Sequence, residues 1–450
     1  VSISKSEAFR ASLLNRLPAA SRYCIAYSGG VDSHVLLHAM VTCAGSLRAA
    51  IDAVHVDHQL VQQSGEWAAH CGAVCAELGV PFALLRVDAA AASGESPEAA
   101  ARSARYRALA DWLPADAVLL TAQHREDQAE TLLLQLLRGA GPRGLAAMPQ
   151  VAPFGPGRLA RPLLELSRAA ILGYARRERL RWVEDPSNDD LRYDRNLLRR
   201  RLMPAIRERW RGADKVLARA AALQADQAEL ADVLADIDAQ PCRVDGHGDQ
   251  LAWAPLPAMS RARQRNLLRA WITDNGLPIP ARVVLDQIMD SVLAARPDAN
   301  PCLRWPGAEV RRYRDRLYVM APLPADDLRV RVAWNINEPL RLPDGSTLAA
   351  VPAGGGGLRV SDDARLEIRY RQGGEVLQPA GRQEHHALKK LFQEWGVPDW
   401  QRSRVPLVFN QGRLVAVAGY CVCEGFQTRH GETGYALYWN DQLNSAAAAL

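Results

Sequence analysis

The first third of the chain alternates between short apolar runs and stretches whose apolar positions recur at helical spacing. Tyr23–Tyr27 (YCIAY), Ala50–Val56, Phe82–Val87 and Ala117–Thr121 are continuous apolar runs of strand length. Between and after them the spacing predicts helices from about His34, over Glu66–Leu78, over Pro97–Trp112 and over Arg125–Leu137, the last closing at Gly139. Strands that read as unbroken apolar runs are buried on both faces, as in a parallel sheet. Strand–helix repetition at this interval predicts an α/β fold with a doubly wound parallel sheet. Beyond it, Arg161–Arg211 reads as helical and Arg-rich, broken by the turn sequence Asp185-Pro186-Ser187-Asn188. The pattern changes near Gly212, with a helix over 213–237 and helical spacing to about residue 295. From Glu309 short β-like runs dominate: Leu317–Met320, Leu328–Trp334, Leu366–Tyr370 and Leu414–Tyr420. These shifts suggest domains at 1–212, 213–325 and 326–450, with Ala321-Pro322-Leu323-Pro324 marking the second boundary. Gly354–Gly357 is either a loop inside the last domain or a linker. The predicted architecture is therefore a parallel-sheet α/β domain, a helical middle domain and an α+β C-terminal domain.

With 450 residues, 48% apolar by a broad count and 23% charged, the chain has enough apolar surface for several cores, which excludes whole-chain disorder. No run approaches the roughly 18 consecutive apolar residues of a membrane span, so no membrane partner is expected. The N-terminal stretch VSISKSEAFRASLLNRL reads as an amphipathic helix rather than a secretory leader. Eight cysteines without a C-x-x-C pair are expected to be reduced thiols, and the protein is expected to be cytoplasmic. The net charge of +5 permits a polyanionic partner without requiring one. Only four of the 55 basic residues are lysines (Lys5, Lys215, Lys389, Lys390). Arginine is the better planar fork for phosphates and bases, although a compositional drift toward Arg and Ala reads the same way.

Five constellations carry candidate chemistry. Ser28-Gly29-Gly30-Val31-Asp32-Ser33 lies between the first strand and the first helix of the repeat. Two glycines let backbone approach an anion, and the helix behind aims free N–H groups at it. A carboxylate there needs a cation between it and phosphate, so Asp32 suggests Mg²⁺ or an ammonium-bearing substrate. The second is Thr121–Thr131 (TAQHREDQAET), where Gln123, Asp127 and Glu130 share a face if all three are helical. Ligands of open parallel sheets bind at the carboxyl ends of the strands, which is where both segments fall. The plainer reading is of acids complementing a helix dipole. The third is His55-Val56-Asp57-His58 at the end of the second strand, better suited to a rim position near a nucleotide than to zinc. Glu98, Arg102, Arg105 and Tyr106 share a helix, where a Glu–Arg pair is the plain alternative. The last is Tyr193, Arg195, Asn196, Arg199, Arg200 and Arg201, a set suited to phosphate contacts and base stacking, or to a solvated helix face. Gly139–Gly144 fits G-x-G-x-x-G but follows a helix, so it reads as a helix end and turn.

Taken together, the segments resemble one family. Ser28–Ser33 is similar to the SGGxDS pyrophosphate loop of the N-type ATP pyrophosphatases, the PP-loop superfamily. The full set resembles the tRNA(Ile)-lysidine synthases: HVDH at 55–58, E-x-x-x-R-x-x-R-Y at 98–106 and AQHxEDQxETxLLxLLRGxGxxGLxxM at 122–148. It continues with RPLL at 161–164, WxEDPSN…YxRNxxR at 182–199, GGE…LKKLFQEWGVPxWxRxxVPLV at 373–408 and VAVAGY at 415–420. Two positions depart from the family pattern: Gln123 replaces a second His, and Glu126 replaces Asp. Gln123 can hydrogen-bond but cannot act as acid or base.

The resemblance implies an adenine nucleotide alpha hydrolase-like catalytic domain over 1–212, a substrate-binding middle domain over 213–325 and a tRNA-binding C-terminal domain over 326–450. It implies a ligase that uses ATP and Mg²⁺ to adenylate the wobble cytidine of the CAU anticodon of tRNA(Ile). Free L-lysine then displaces AMP to give lysidine, and decoding switches from AUG to AUA. On this resemblance ATP contacts fall to Ser28, Gly29, Gly30, Val31, Asp32, Ser33 and Asp57, with Mg²⁺ on Asp32. Catalytic roles fall to Asp32, Arg102, Asp127 and Glu130. Contacts to tRNA fall to Arg105, Arg195, Asn196, Arg199, Lys389 and Lys390. The oligomeric state is left open between monomer and homodimer. Two other readings share some features: a tRNA thiolase with the same loop, which would need working cysteines, and a non-catalytic tRNA-binding module, against which the intact loop speaks.

Overall fold

The computed structural model describes residues 4–58, 64–88, 97–184, 190–296, 299–323, 329–361 and 364–439, so the turn sequence at 185–188 lies outside the described residues. The chain divides into two compact units, 1–233 and 234–450.

The first unit runs α1 (Lys5–Leu14), β1 (Arg22–Ala26), α2 (Val31–Thr42), β2 (Ala50–Asp57), α3 (Ser64–Glu77) and β3 (Phe82–Arg86). It continues α4 (Pro97–Trp112), β4 (Val118–Leu120), α5 (Arg125–Leu137), α6 (Pro142–Leu145), β5 (Val151–Phe154) and β6 (Gly157–Ala160). The last helices are α7 (Arg168–Arg177), α8 (Asp194–Leu197) and α9 (Met203–Arg209). The six strands lie in the order β3-β2-β1-β4-β6-β5. All neighbours are parallel except β5, which pairs antiparallel with β6.

Alternate residues of β1 feed two cores, as a period of two requires. Tyr23 and Ile25 join Phe9, Leu13, Leu36, Cys71, Ile171 and Tyr174 under α1, α2, α3 and α7. Cys24 joins Val54, Leu109, Leu113, Leu119 and Leu159 on the α4 side. Cys71 and Cys75 are fully buried in the first of these cores, and burial pushes their thiols up to about 12 and about 11, so they pack as apolar groups.

The chain leaves β1 toward β2 and β3 on one side, then crosses to β4 on the other. That reversal puts a switch point between the carboxyl ends of β1 and β4, where such sheets bind ligands. The β5–β6 hairpin was not expected from the pattern, because its strands are short and Pro153 interrupts the apolar run. It is held close to the sheet: a Cβ at Gly157 would lie 2.3 Å from the Ala117 carbonyl oxygen. The expected helix from Arg161 begins only at Arg168. Pro162 follows the strand end, and the Ser167 side chain caps α7 by accepting the Ala170 N–H at 3.2 Å. After residue 193, α8 and α9 are joined by a π-helical turn over Leu198–Leu202. Gly139–Gly144 is a helix end and turn, with Gly139 at φ +70°.

The long helix α10 (Ala213–Ala239) carries the chain from the first range of residues into the second. The second unit begins with β7 (Gln250–Ala252), α11 (Arg261–Asp274), α12 (Arg282–Gln287), β8 (Cys302–Trp305), β9 (Ala308–Tyr313) and β10 (Arg316–Met320). The helical middle region thus carries an antiparallel sheet of its own, ordered β7-β10-β9-β8, packed on Leu267, Leu268, Trp271 and Ile288. Then follow β11 (Val332–Asn335), β12 (Leu340–Arg341), β13 (Thr347–Gly354), β14 (Arg365–Arg369), β15 (Val376–Leu377) and β16 (His386–Ala387). The unit closes with α13 (Leu388–Glu394), α14 (Asp399–Arg402), β17 (Leu407–Asn410), β18 (Arg413–Val417), β19 (Cys421–Val422) and β20 (Thr433–Trp439). Gly354–Gly357 is a loop inside this part rather than a linker, since β13 pairs with β20 and Leu358 bridges to Tyr435. Among the described residues no helix is long and apolar enough to cross a membrane.

Candidate active site at the switch point

At the end of β1 the Tyr27 N–H still donates to the Val54 carbonyl at 2.8 Å, and the chain then turns sharply. Gly29 makes the turn at φ +82°, and a Cβ there would lie 3.1 Å from Cys71 Sγ. Its carbonyl accepts the Val183 N–H at 3.1 Å, which ties the loop to the segment after α7. Gly30 is the N-cap of α2 with no side-chain cap, so the first amides of the helix face outward without an intrahelical acceptor. Ser33 locks the loop from inside: it is buried, its hydroxyl donates to the Gly30 carbonyl at 3.0 Å, and it accepts the Ser28 N–H at 3.2 Å. Ser28 is exposed, so its hydroxyl can face a ligand although it lies 3.0 Å from Ser33 Oγ. The loop is a ring of amides at a positive helix end, a geometry that holds phosphate.

The neighbouring strand end, β4, leads into α5 through His124, its N-cap. Asp127 Oδ2 accepts the His124 N–H at 3.0 Å. Gln123 therefore precedes the helix and does not share the face of Asp127 and Glu130. The His124 ring is 2% exposed and sits among three carboxylates. Nδ1 is 3.2 Å from Glu126 Oε2, and Nε2 is 3.5 Å from Asp127 Oδ2 and 3.7 Å from Asp32 Oδ2. The pyrophosphate-type loop and the acidic helix thus meet at this ring. Burial alone would lower the imidazole pKa, but Glu126, Asp127 and Asp32 outweigh it and hold His124 above its ordinary value. Burial raises Asp32, helped by the like charge of Asp127 and opposed by His124. Asp32 Oδ1 is buried without a hydrogen-bond partner. Glu126, the longer replacement, reaches two groups: it also accepts the Arg168 N–H at 2.9 Å. Burial works to raise it, but these two bonds win and hold it low.

Arg199 closes the acidic side. Its Nε and Nη2 donate to Glu130 Oε1 and Oε2, both at 2.8 Å, and Nη2 donates to Asp127 Oδ1 at 2.7 Å. Glu130 is 1% exposed. Buried carboxylates need such a partner, and the π turn that carries Arg199 aims it there. Arg199 is therefore part of the acidic site, not an open arginine facing a polyanion. Arg195 lies beside it, donating to Thr131 Oγ1 at 2.6 Å. Asn196 donates to the Asp190 carbonyl at 2.9 Å.

On β2, His55 and Asp57 point to the loop side and are buried. His55 Nδ1 is 2.8 Å from the Tyr27 carbonyl oxygen and 3.6 Å from Cys71 Sγ. Among the described residues no group of His, Cys, Asp and Glu is arranged for a metal by itself. On α4, the Arg102 guanidinium lies 4.6 Å over the Tyr106 ring and donates to its hydroxyl at 3.3 Å. Arg105 lies 5.7 Å from the same ring. The Glu98 side chain lies outside the described residues. Lys389 and Lys390 are exposed at the start of α13 in the second unit. Sequence reasoning missed His124 as the meeting point; the available signal was a histidine between a strand end and an acid-rich helix.

Comparison with known proteins matches three family profiles in order. Residues 4–206 match the PP-loop domain, 251–318 the TilS substrate binding domain and 366–439 the TilS substrate C-terminal domain. A tRNA(Ile)-lysidine synthase of Coxiella burnetii is 43% identical over 432 residues, spanning 96% of this chain and 95% of its own. That of Pseudomonas aeruginosa is 44% identical over 442 residues, spanning 94% and 95%. With a PP loop and acidic helix converging on one histidine, and identity of this order over nearly the whole length, the chain belongs to the tRNA(Ile)-lysidine synthase family.

Proposed function

We propose that this protein ligates L-lysine to C2 of the wobble cytidine in the CAU anticodon of tRNA(Ile), using ATP. The observation that carries the reading is the meeting of the phosphate loop and the acidic helix at His124, within a chain of this family. In the first half-reaction the cytidine O2 attacks the α-phosphorus of ATP and pyrophosphate leaves. Amides of Gly29, Gly30 and the first turn of α2 stabilise charge on the phosphates. Asp57, at the adjacent strand end, flanks the nucleotide. The buried, unpartnered Asp32 Oδ1 fits Mg²⁺, which takes one or two carboxylates plus substrate phosphates and would supply charge neutralisation there.

In the second half-reaction the ε-amine attacks C2 and AMP departs with the former O2. The amine has an ordinary pKa of about 10.4 and must first lose a proton. Asp127 and Glu130 hold the ammonium end, in competition with the guanidinium of Arg199 for the same oxygens. His124, held above its ordinary value by its carboxylates, accepts the proton. Arg102 at the rim steadies the reacting nucleotide. The tRNA contacts fall to Arg105, Arg195 and Asn196 near the site and to Lys389 and Lys390 in the C-terminal region. The working division of labour is a catalytic domain over 1–212, a middle domain over 213–325 and a tRNA-binding domain over 326–450. The target base belongs to a single-stranded loop and can be splayed out at modest cost.

The test is uptake of labelled lysine by a CAU-anticodon tRNA(Ile) transcript, with AMP and pyrophosphate measured in parallel. One AMP and one pyrophosphate per lysine incorporated supports the reading. Formation of ADP, or incorporation without ATP, contradicts it. A thiolated product is not favoured, since the cysteine pair nearest the loop is core and shifted away from thiolate.

A further inference from the structure

A second charged group lines the same rim on the side away from the acids. Arg161 follows β6, and the Ala160 carbonyl before it accepts the Thr121 N–H at 3.0 Å, so Arg161 stands at the strand ends beside Thr121. Its side chain is 7% exposed. Nη1 donates to the Pro149 carbonyl at 2.7 Å, while Nε is buried without a partner. Tyr106 accepts a further hydrogen bond from the Arg161 side chain, and the like-charged Arg102 is its electrostatic neighbour. Among the described residues no carboxylate pairs with Arg161, whereas Arg199 has two. Thr121 Oγ1 and Gln123 Oε1, on the adjoining strand end, are also buried and unpartnered.

A buried guanidinium without a carboxylate, beside a second guanidinium, is a costly arrangement unless an anion joins it. The triphosphate has its donors at the end of β1. Arg161 lies two strands further along, roughly 10 Å away at about 4.8 Å per strand. The remaining anion of the reaction on this side is the far end of the amino acid. Lysine carries its ε-ammonium on a four-carbon stem, with the carboxylate on the α-carbon beyond it, and the rim offers carboxylates at α5 and a guanidinium fork past β4.

We propose that Arg161, with Thr121 and Gln123 around it, forms the subsite for the α-carboxylate of the amino-acid substrate, so that the enzyme selects an α-amino acid over a plain alkyl diamine. The inference rests on the lysine-ligation reading and adds the determinant of substrate class. A planar fork matches carboxylate in a bidentate manner, which lysine in its place cannot do.

The experiment compares lysine with cadaverine, the same amine without the carboxylate, on the full-length enzyme and on Arg161→Gln and Arg161→Lys. The tRNA-dependent ATP–pyrophosphate exchange is measured alongside. Wild type is expected to prefer lysine by about 100-fold or more in kcat/KM. In Arg161→Gln that preference is expected to fall by about tenfold or more, mainly through KM for lysine, with Arg161→Lys intermediate. The loss must exceed any loss in exchange. Equal use of the two amines by wild type overturns the proposal and requires no variant. Retained preference in a folded Arg161→Gln also overturns it. An equal fall in exchange assigns the arginine to a phosphate and overturns it as well. Wild type that attaches no lysine at all defeats the ligation reading itself, a different failure.

Discussion

Arg199 Nη2 donates to Asp127 Oδ1 at 2.7 Å, so one of the acids around the His124 ring is held by a cation from a helix 72 residues further along the chain. The same guanidinium grips both oxygens of Glu130, and it draws a strongly raised pKa from that company despite its burial. The pair of acids expected to receive the substrate ammonium thus already shares one cation in the folded chain.

Arg199→Ala removes the guanidinium shared by two buried carboxylates and leaves them the longer contacts, Arg195 Nε at 3.7 Å from Glu130 and His124 Nε2 at 3.5 Å from Asp127. We expect a loss of about 3 kcal/mol in unfolding free energy, at the lower end for a broken buried pair because the arginine is partly solvated. Arg199→Lys keeps the charge but loses the fork, and should recover part of it. Urea titration of both variants reads the difference, and equal stability of wild type and Arg199→Ala would rule the account out.

Gly29→Ala places a side chain at φ +82° and against Cys71 Sγ. The backbone term alone costs about 1–2 kcal/mol. Adding Cys71→Ala removes the contact but not the backbone strain, so the double variant should regain only part of the loss. Thermal midpoints of the three proteins check this, and exchange activity should fall with the loop geometry.

Asp32→Ala is expected to lower tRNA-dependent ATP–pyrophosphate exchange by about 100-fold or more. Asp127→Ala and Glu130→Ala should leave more of the exchange and chiefly raise the lysine requirement. Full exchange in Asp32→Ala, or an unchanged lysine dependence in the other two, would remove these residues from the stated roles.

The pH dependence has a definite sign. His124 has a folded pKa above 6.5, so its protonated form is favoured by folding. The stability it contributes is full below about 6.5 and is lost as pH rises through the folded value. The base it supplies behaves oppositely: lysine transfer should rise as pH passes that same value. His124→Gln should flatten the ascending limb of the transfer step, measured with pre-adenylated tRNA. A limb of unchanged position in that variant assigns the proton to another group.

Much of this was legible in the residues. Unbroken apolar runs at 23–27, 50–56 and 117–121 marked parallel strands, and two glycines before Asp32 marked the anion loop. The i, i+3 spacing of Asp127 and Glu130 set them on one face. The sequence pattern could not reveal the β5–β6 hairpin, whose four-residue strands are held by pairing with β6 and β4 rather than by their own composition. Nor could it reveal that Arg199, one of three consecutive arginines, turns inward while its neighbours do not. That choice is made by a π turn and by two buried carboxylates distant in sequence. His124 was hidden for a similar reason: its role depends on Asp32, which meets it only across the switch point.

The most direct measurement is the mass of the wobble nucleoside after the purified protein is incubated with tRNA(Ile), ATP and isotopically labelled lysine. We expect cytidine to gain one lysine less one water, with the label retained and the product absent when ATP is omitted. Unmodified cytidine under these conditions, or a sulfur-bearing nucleoside in its place, contradicts the assignment of one shared crevice to adenylation and amine attack.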